Sequence, residues 1–105
     1  MFSQLSLFFV LQKKRNQETV SQTVYALYSP DHEKIYIGRS GNFEQRLISH
    51  NEKGKKGWTV KYRPWKVVFT EQFQTKEEAI HREKQLKTSR GRAFVWQKVH
   101  KKFDR

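Results

Sequence analysis

Apolar positions along the chain fall into short segments with different spacings, separated by polar breaks. Thr23-Val24-Tyr25-Ala26-Leu27-Tyr28 is a continuous run of β-branched and aromatic residues, the composition of a strand. Ser29-Pro30-Asp31-His32-Glu33 follows with turn chemistry, because Pro presets φ and Asp bonds its own backbone. Lys34-Ile35-Tyr36-Ile37-Gly38 then predicts a second strand, antiparallel to the first through that compact turn. After the break at Ser40-Gly41-Asn42 the period lengthens to that of a helix. Asn42 with Gln45 reads as a capping box, and Phe43, Leu47 and Ile48 form the apolar face of a helix ending near His50 or Asn51.

Glu52 to Pro64 loses all periodicity and predicts a mobile cationic loop carrying Lys53, Lys55, Lys56, Lys61 and Arg63. Trp65 to Phe73, with Val67, Val68 and Phe69 at its centre, predicts a third strand. Thr75 with Glu78 is a second capping-box signature, opening a helix through about Thr88, and a last helix is expected over Arg92 to Lys101. The order β-β-α-β-α-α predicts an α/β fold, a small three-stranded antiparallel sheet flanked by helices. At 105 residues there is room for one domain, expected over 22–103.

The N-terminal segment does not fit this pattern. Phe2 to Leu11 is apolar but too short to span a bilayer, and its basic cluster Lys13-Lys14-Arg15 follows the apolar run where a signal peptide would place it before. Residues 1–21 are read as an appendage, either a loose hydrophobic arm or an over-extended start.

Composition changes the picture in two ways. Apolar residues are only 35% of the chain, but aromatics reach 14%, so a core built on large rings is expected. Lys and Arg number 22 against 10 Asp and Glu, a net charge of +12, which attracts polyanions and points to nucleic acid. The absence of cysteine excludes disulfides, thiol nucleophiles and Cys-ligated zinc, and fits a cytoplasmic protein with no membrane partner.

Candidate chemistry lies in polar residues on apolar faces. Ala79, Glu83 and Leu86 are spaced i, i+4, i+7, so a carboxylate sits on the inward stripe of its helix. Either it pairs with a nearby Arg or Lys, or it holds a hard divalent cation such as Mg²⁺. Phe43, Arg46 and His50 share a stripe in the same way. Arg46 presents a fork suited to phosphate, or an ion-pair partner for Glu83. His50 reads as a helix-end cap or a member of the site. Tyr25 and Tyr36 lie on adjacent strands and share a face if the turn brings them near register; otherwise they are ordinary core aromatics.

These residues carry a resemblance. Val24-Tyr25 and, eleven residues on, Tyr36-Ile37-Gly38 resemble the two halves of the GIY-YIG signature, with Thr23 where the motif has Gly. The stretch from Gly38 through Arg39, Asn42, Arg46 and His50 to Asn51 is similar to the family's "G-x-T-x-N-L-x-x-R-L-x-x-H-N" helix. Arg63-Pro64-Trp65-Lys66-Val67-Val68 and Ala79-Ile80-His81-Arg82-Glu83-Lys84-Gln85-Leu86-Lys87 resemble the "R-P-W-x-L-V" and "A-x-x-R-E-x-x-L-K" segments of small stand-alone bacterial members. Some members carry an Asn after the metal-binding helix, and this chain has no clear counterpart.

The resemblance implies an endonuclease that hydrolyses DNA phosphodiester bonds with Mg²⁺ or Mn²⁺, in DNA repair or recombination. It implies that Tyr25 and Tyr36 flank the attacking water, that Arg46 holds the phosphate, that His50 is catalytic and that Glu83 binds the metal. It implies further that Gly38, Arg39, Lys53, Lys55, Lys56, Lys61 and Arg63 contact the phosphates of DNA, Gly38 by allowing close backbone approach and Arg39 from beside the site. Selection of DNA by structure, or by a protein partner, is expected in place of sequence preference. The competing expectation is a non-catalytic, basic nucleic-acid-binding module on the same fold.

Overall fold

The computed structural model describes residues 21–55 and 57–104. The expected N-terminal arm lies outside the described residues, apart from Ser21, and so does Lys56. Strands β1 (Gln22–Ser29), β2 (Lys34–Ser40) and β3 (Lys66–Phe73) form an antiparallel sheet in the order β2-β1-β3. The helices are α1 (Phe43–Ile48), α2 (Lys76–Leu86) and α3 (Ser89–Phe103). Among the described residues no helix is long and apolar enough to cross a membrane. The expected α/β architecture and element order are therefore present, with the first two strands and the last helix slightly longer than the apolar pattern indicated and the third strand starting one residue later.

β1 is the central strand, and its alternation divides the core. Val24, Ala26 and Tyr28 face one side with Ile35, Ile37 and Val68, where Ala79 and Leu86 of α2 and Val95 and Val99 of α3 cover them. Tyr25 and Leu27 face the other side with Trp65, packed by Tyr36, Phe43, Leu47, Tyr62 and Val67. Because both faces are covered, β1 reads as an unbroken apolar run. β3 departs from simple alternation because Leu27 pairs with Val67 and Ala26 with Phe69, leaving Val68 as a bulge. The bulge turns both Val68 and Phe69 toward the helices. The Lys102 ammonium at the end of α3 donates to the Val67 and Val68 carbonyls there, at 3.0 and 3.3 Å.

Caps set the helix starts. Asn42 Oδ1 accepts from the Gln45 amide, and the Thr75/Glu78 box is complete, with each side chain bonded to the other's backbone. Arg82 grips Glu71 with two nitrogens, at 2.7 and 3.1 Å, and so ties α2 to β3. Glu52–Pro64 departs from the expected open loop. A π turn (Ser49–Lys53) extends α1, and a 3₁₀ turn (Trp58–Tyr62) follows. The Arg63 guanidinium donates to the carbonyls of His50, Ser49 and Gly54, and Asn51 pairs with both backbone groups of Trp65. Buried carbonyls left over by the helix end need donors, and Arg63 supplies them.

Candidate active site

The hairpin register places the two tyrosines. Tyr25 stands opposite Gly38 and Leu27 opposite Tyr36, so the tyrosines are diagonal neighbours on one face with ring centroids 6.2 Å apart. A Cβ at position 38 would lie 2.8 Å from Tyr25 Oη and 2.9 Å from Tyr36 Cε2. Gly38 was expected at the DNA contact; its lack of a side chain instead makes room for the two phenols.

His50 sits in the π turn, only 7% exposed, and is not a solvent-facing helix cap. Its Nε2 is 2.9 Å from Tyr25 Oη and its Nδ1 is 3.1 Å from Thr59 Oγ1. Its ring centre lies 4.8 Å from that of Tyr36. Burial, then the cations Arg46 and Arg63, hold the imidazole below its ordinary value, so it is neutral at neutral pH. Burial also pushes the Tyr25 phenol well above its ordinary value, helped by the neighbouring Tyr36 and Glu83 and opposed by Arg46. A phenol that keeps its proton donates to Nε2, which leaves Nδ1 carrying the hydrogen that Thr59 accepts.

Arg46 is exposed on α1 and lines an open cleft of about 260 Å³ with Ser40, Asn42, Gln45 and Ser49. Glu83 approaches from α2 with its side chain 18% exposed. Its pairing is not with Arg46: Oε1 is 3.1 Å from Arg39 Nε and Oε2 is 2.9 Å from Lys87 Nζ. The Arg39 contact is an ion pair by distance without the alignment of a hydrogen bond, for Arg39 Nε is otherwise a buried donor with no partner. Arg39 also reaches Gln22 Oε1 at 3.3 Å. Expected to meet phosphate, Arg39 is instead engaged with the carboxylate beside the site.

Tyr25, Tyr36, His50, Arg46 and Glu83 are thus brought together from four elements. Lys53, Lys55 and Lys61 are exposed along the segment that closes over His50. Arg63 is the second departure among the cations, since its nitrogens fasten backbone carbonyls and are not free for phosphate. Two residues of the site went unread in the sequence. Thr59 lies nine residues from the His50 it orients, with no periodic signal. Lys87 follows Glu83 at i+4, a spacing that does signal a helical ion pair.

The donor set fits one kind of metal. No cluster of three or more His, Asp and Glu side chains occurs among the described residues, so a cation at Glu83 would have few protein ligands. Mg²⁺ suits such a place, because it retains most of its water and takes few protein oxygens. Lys87 is half exposed and its contact with Glu83 is that of a surface pair, which a divalent ion can displace.

Comparison with known proteins bears on the family of the chain. The model of a family described as the GIY-YIG catalytic domain matches residues 21–98. A UPF0213 protein of Staphylococcus saprophyticus is 39% identical over 54 residues, spanning 51% of this chain and 66% of that protein. Another, from Staphylococcus haemolyticus, is 39% identical over 66 residues, 62% of this chain and 78% of the relative. A third, from Bacillus velezensis, is 35% identical over 89 residues, 81% of this chain and 88% of the relative. No solved structure matches the chain.

Proposed function

Because the chain belongs to the GIY-YIG nuclease family, we propose that it hydrolyses phosphodiester bonds of DNA with the aid of Mg²⁺ or Mn²⁺. The observation that carries this reading is the 2.9 Å hydrogen bond between Tyr25 Oη and His50 Nε2, which joins a phenol that keeps its proton to a neutral imidazole beside Arg46 and Glu83.

The pair forms a proton relay. A water at Tyr25 Oη gives up its proton as it attacks phosphorus, and the phenol passes its own proton to His50 Nε2. The oxygen–phosphorus bond forms while the bond to the leaving sugar oxygen breaks; that oxygen takes a proton from solvent water to leave as an alcohol, and His50 returns its proton to solvent. Thr59 holds the imidazole ring in place throughout. The raised affinity of Tyr25 for its proton keeps a free phenolate scarce here, and handing the proton onward avoids forming one. Tyr36 packs against both rings and closes that side of the water's position. Arg46, exposed at the cleft, binds the phosphate and stabilises charge as it grows. Glu83 would hold the cation, which supplies Lewis acidity toward the phosphate and the leaving oxygen.

Choice by DNA structure or through a protein partner, and a task in repair or recombination inside the bacterial cytoplasm, complete the proposal. The exposed Lys53, Lys55 and Lys61 offer contacts to backbone phosphates, which carry no sequence information. One observation favours a second reading, a binding module without catalysis: both oxygens of Glu83 are already paired with cations.

Labelled supercoiled, branched and single-stranded DNA, incubated with Mg²⁺, Mn²⁺ or chelator, separates the two. Cutting is expected with metal only. It should be lost in Glu83→Ala with DNA binding kept, and reduced about 10²- to 10³-fold in Arg46→Ala, as for removal of one donor to transition-state charge. Metal-independent binding with no cutting of any substrate would establish the binding module. Global unfolding of Glu83→Ala would make Glu83 a structural ion-pair partner of Arg39 and Lys87.

A further inference from the structure

Trp58 is the most exposed large apolar side chain among the described residues, at 45%. It opens the 3₁₀ turn and is held on several sides by other rings. Tyr62 lies 4.7 Å from it, Trp65 5.7 Å and Tyr36 6.4 Å, the last nearly parallel at 28°. The turn is itself pinned, for Trp65 Nε1 donates to the Thr59 carbonyl at 2.8 Å and Thr59 is bonded to His50. The indole is therefore a fixed aromatic surface, half open to solvent, one ring away from the Tyr25–Tyr36–His50 group.

Burying Trp58 against the domain would have been the less costly arrangement for so large an apolar ring. Its surroundings identify what it meets. Lys53, Lys55 and Lys61 are exposed on the same segment, Lys34 lies over the Tyr62 ring at 5.6 Å, and Glu52 is the one acidic residue between Asn51 and Lys66. A cationic border around an aromatic face suits a nucleotide, whose base stacks while its phosphates meet the lysines. In an intact duplex the faces of the bases are already stacked on their neighbours. Only an unpaired or splayed base has a face to offer.

We propose that Trp58 is a stacking platform for an unpaired base next to the scissile phosphate, and that it makes the enzyme select single-stranded, flapped or branched DNA over perfect duplex. The inference rests on the nuclease reading above and assigns its substrate class to a residue outside the reacting group.

Binding is measured in chelator, where no cutting is needed, with fluorescent oligothymidylate and a perfect duplex of the same length. Trp58→Leu keeps apolar cover on Tyr62 and Trp65 but removes the π face; Trp58→Phe keeps a smaller ring. Trp58→Leu is expected to weaken oligothymidylate binding roughly 5- to 100-fold while duplex binding is unchanged, and Trp58→Phe to retain most of the affinity. The fluorescence difference between the wild type and Trp58→Phe isolates this indole from Trp65 and Trp96, and oligothymidylate should quench it where duplex does not. Equal losses on both DNAs, or salt-sensitive binding that Trp58→Leu leaves untouched, would overturn this inference and spare the nuclease reading. If no DNA binds at low salt, the nuclease reading falls and this one with it.

Discussion

His50 and Tyr25 hold each other in complementary protonation states, and that coupling is open to test by pH. The imidazole is depressed below about 6.5 by burial and by two cations, whereas in the unfolded chain it titrates at its ordinary value. Between those values the unfolded chain binds the proton and the native one does not, so stability falls as pH drops below about 6.5 and levels off below the native value. The melting-temperature advantage of wild type over His50→Gln should be largest above that pH and shrink in acid; an advantage independent of pH would mean that His50 is not buried neutral. Cutting should fade over the same acidic range, because a protonated imidazole cannot accept from Tyr25. Arg46 and Glu83 drew attention as charged groups at or beside apolar stripes, and Tyr25 only through its pairing with Tyr36 across the hairpin and the family resemblance. The partners of His50 were not legible. Tyr25 lies 25 residues away and Thr59 nine, and helical spacing carries no information about contacts across a sheet or a loop.

At the scale of elements, the join between α2 and α3 leaves no room for a side chain at Gly91. Gly91 lies in the first turn of α3, where Thr88 Oγ1 caps it, and a Cβ there would collide with the Gln85 carbonyl oxygen and Leu86 Cα. Both are backbone atoms at the end of α2 and have no rotamer to escape into. Alanine is the better helix former by about 1 kcal/mol in isolation, yet Gly91→Ala is expected to destabilise the domain by about 2 kcal/mol or more, in the range of overpacked cores. Urea denaturation decides the sign, and a stabilised variant would show that the two helices can part without cost. The sequence placed the start of α3 three residues late, because Ser89, Arg90 and Gly91 read as a break. It placed the starts of α1 and α2 well, because Asn42 and Thr75 announce themselves in side-chain chemistry. The turns Ser49–Lys53 and Trp58–Tyr62 were the larger miss: Arg63, turned onto the carbonyls of Ser49, His50 and Gly54, fastens the end of the first, and Lys and Arg look alike in a count of charge.

For the molecule as a whole, charge was the property read most directly. With a net charge of +12, neutralising some six to ten phosphates would weaken DNA binding by about 10³- to 10⁵-fold between 50 and 200 mM salt. A nearly flat dependence would rule out backbone neutralisation as the main source of affinity. Exposed Arg46, Lys53, Lys55 and Lys61, with Arg90, Arg92, Lys98 and Lys101 of α3, are among the cations available for it. The three-stranded sheet was legible for a related reason, since a central strand covered on both faces must be apolar throughout. That same strand has a mechanical consequence. Tyr25 is flanked in sequence by Val24 and Ala26, which are anchored in the helical half of the core, while the phenol itself is wedged against Gly38. The reacting group therefore shares the stiffness of the interior and has no hinge of its own. On the proposed nuclease reading, the deformation on binding would fall on the DNA, and substrates already bent or frayed would have less of it left to undergo.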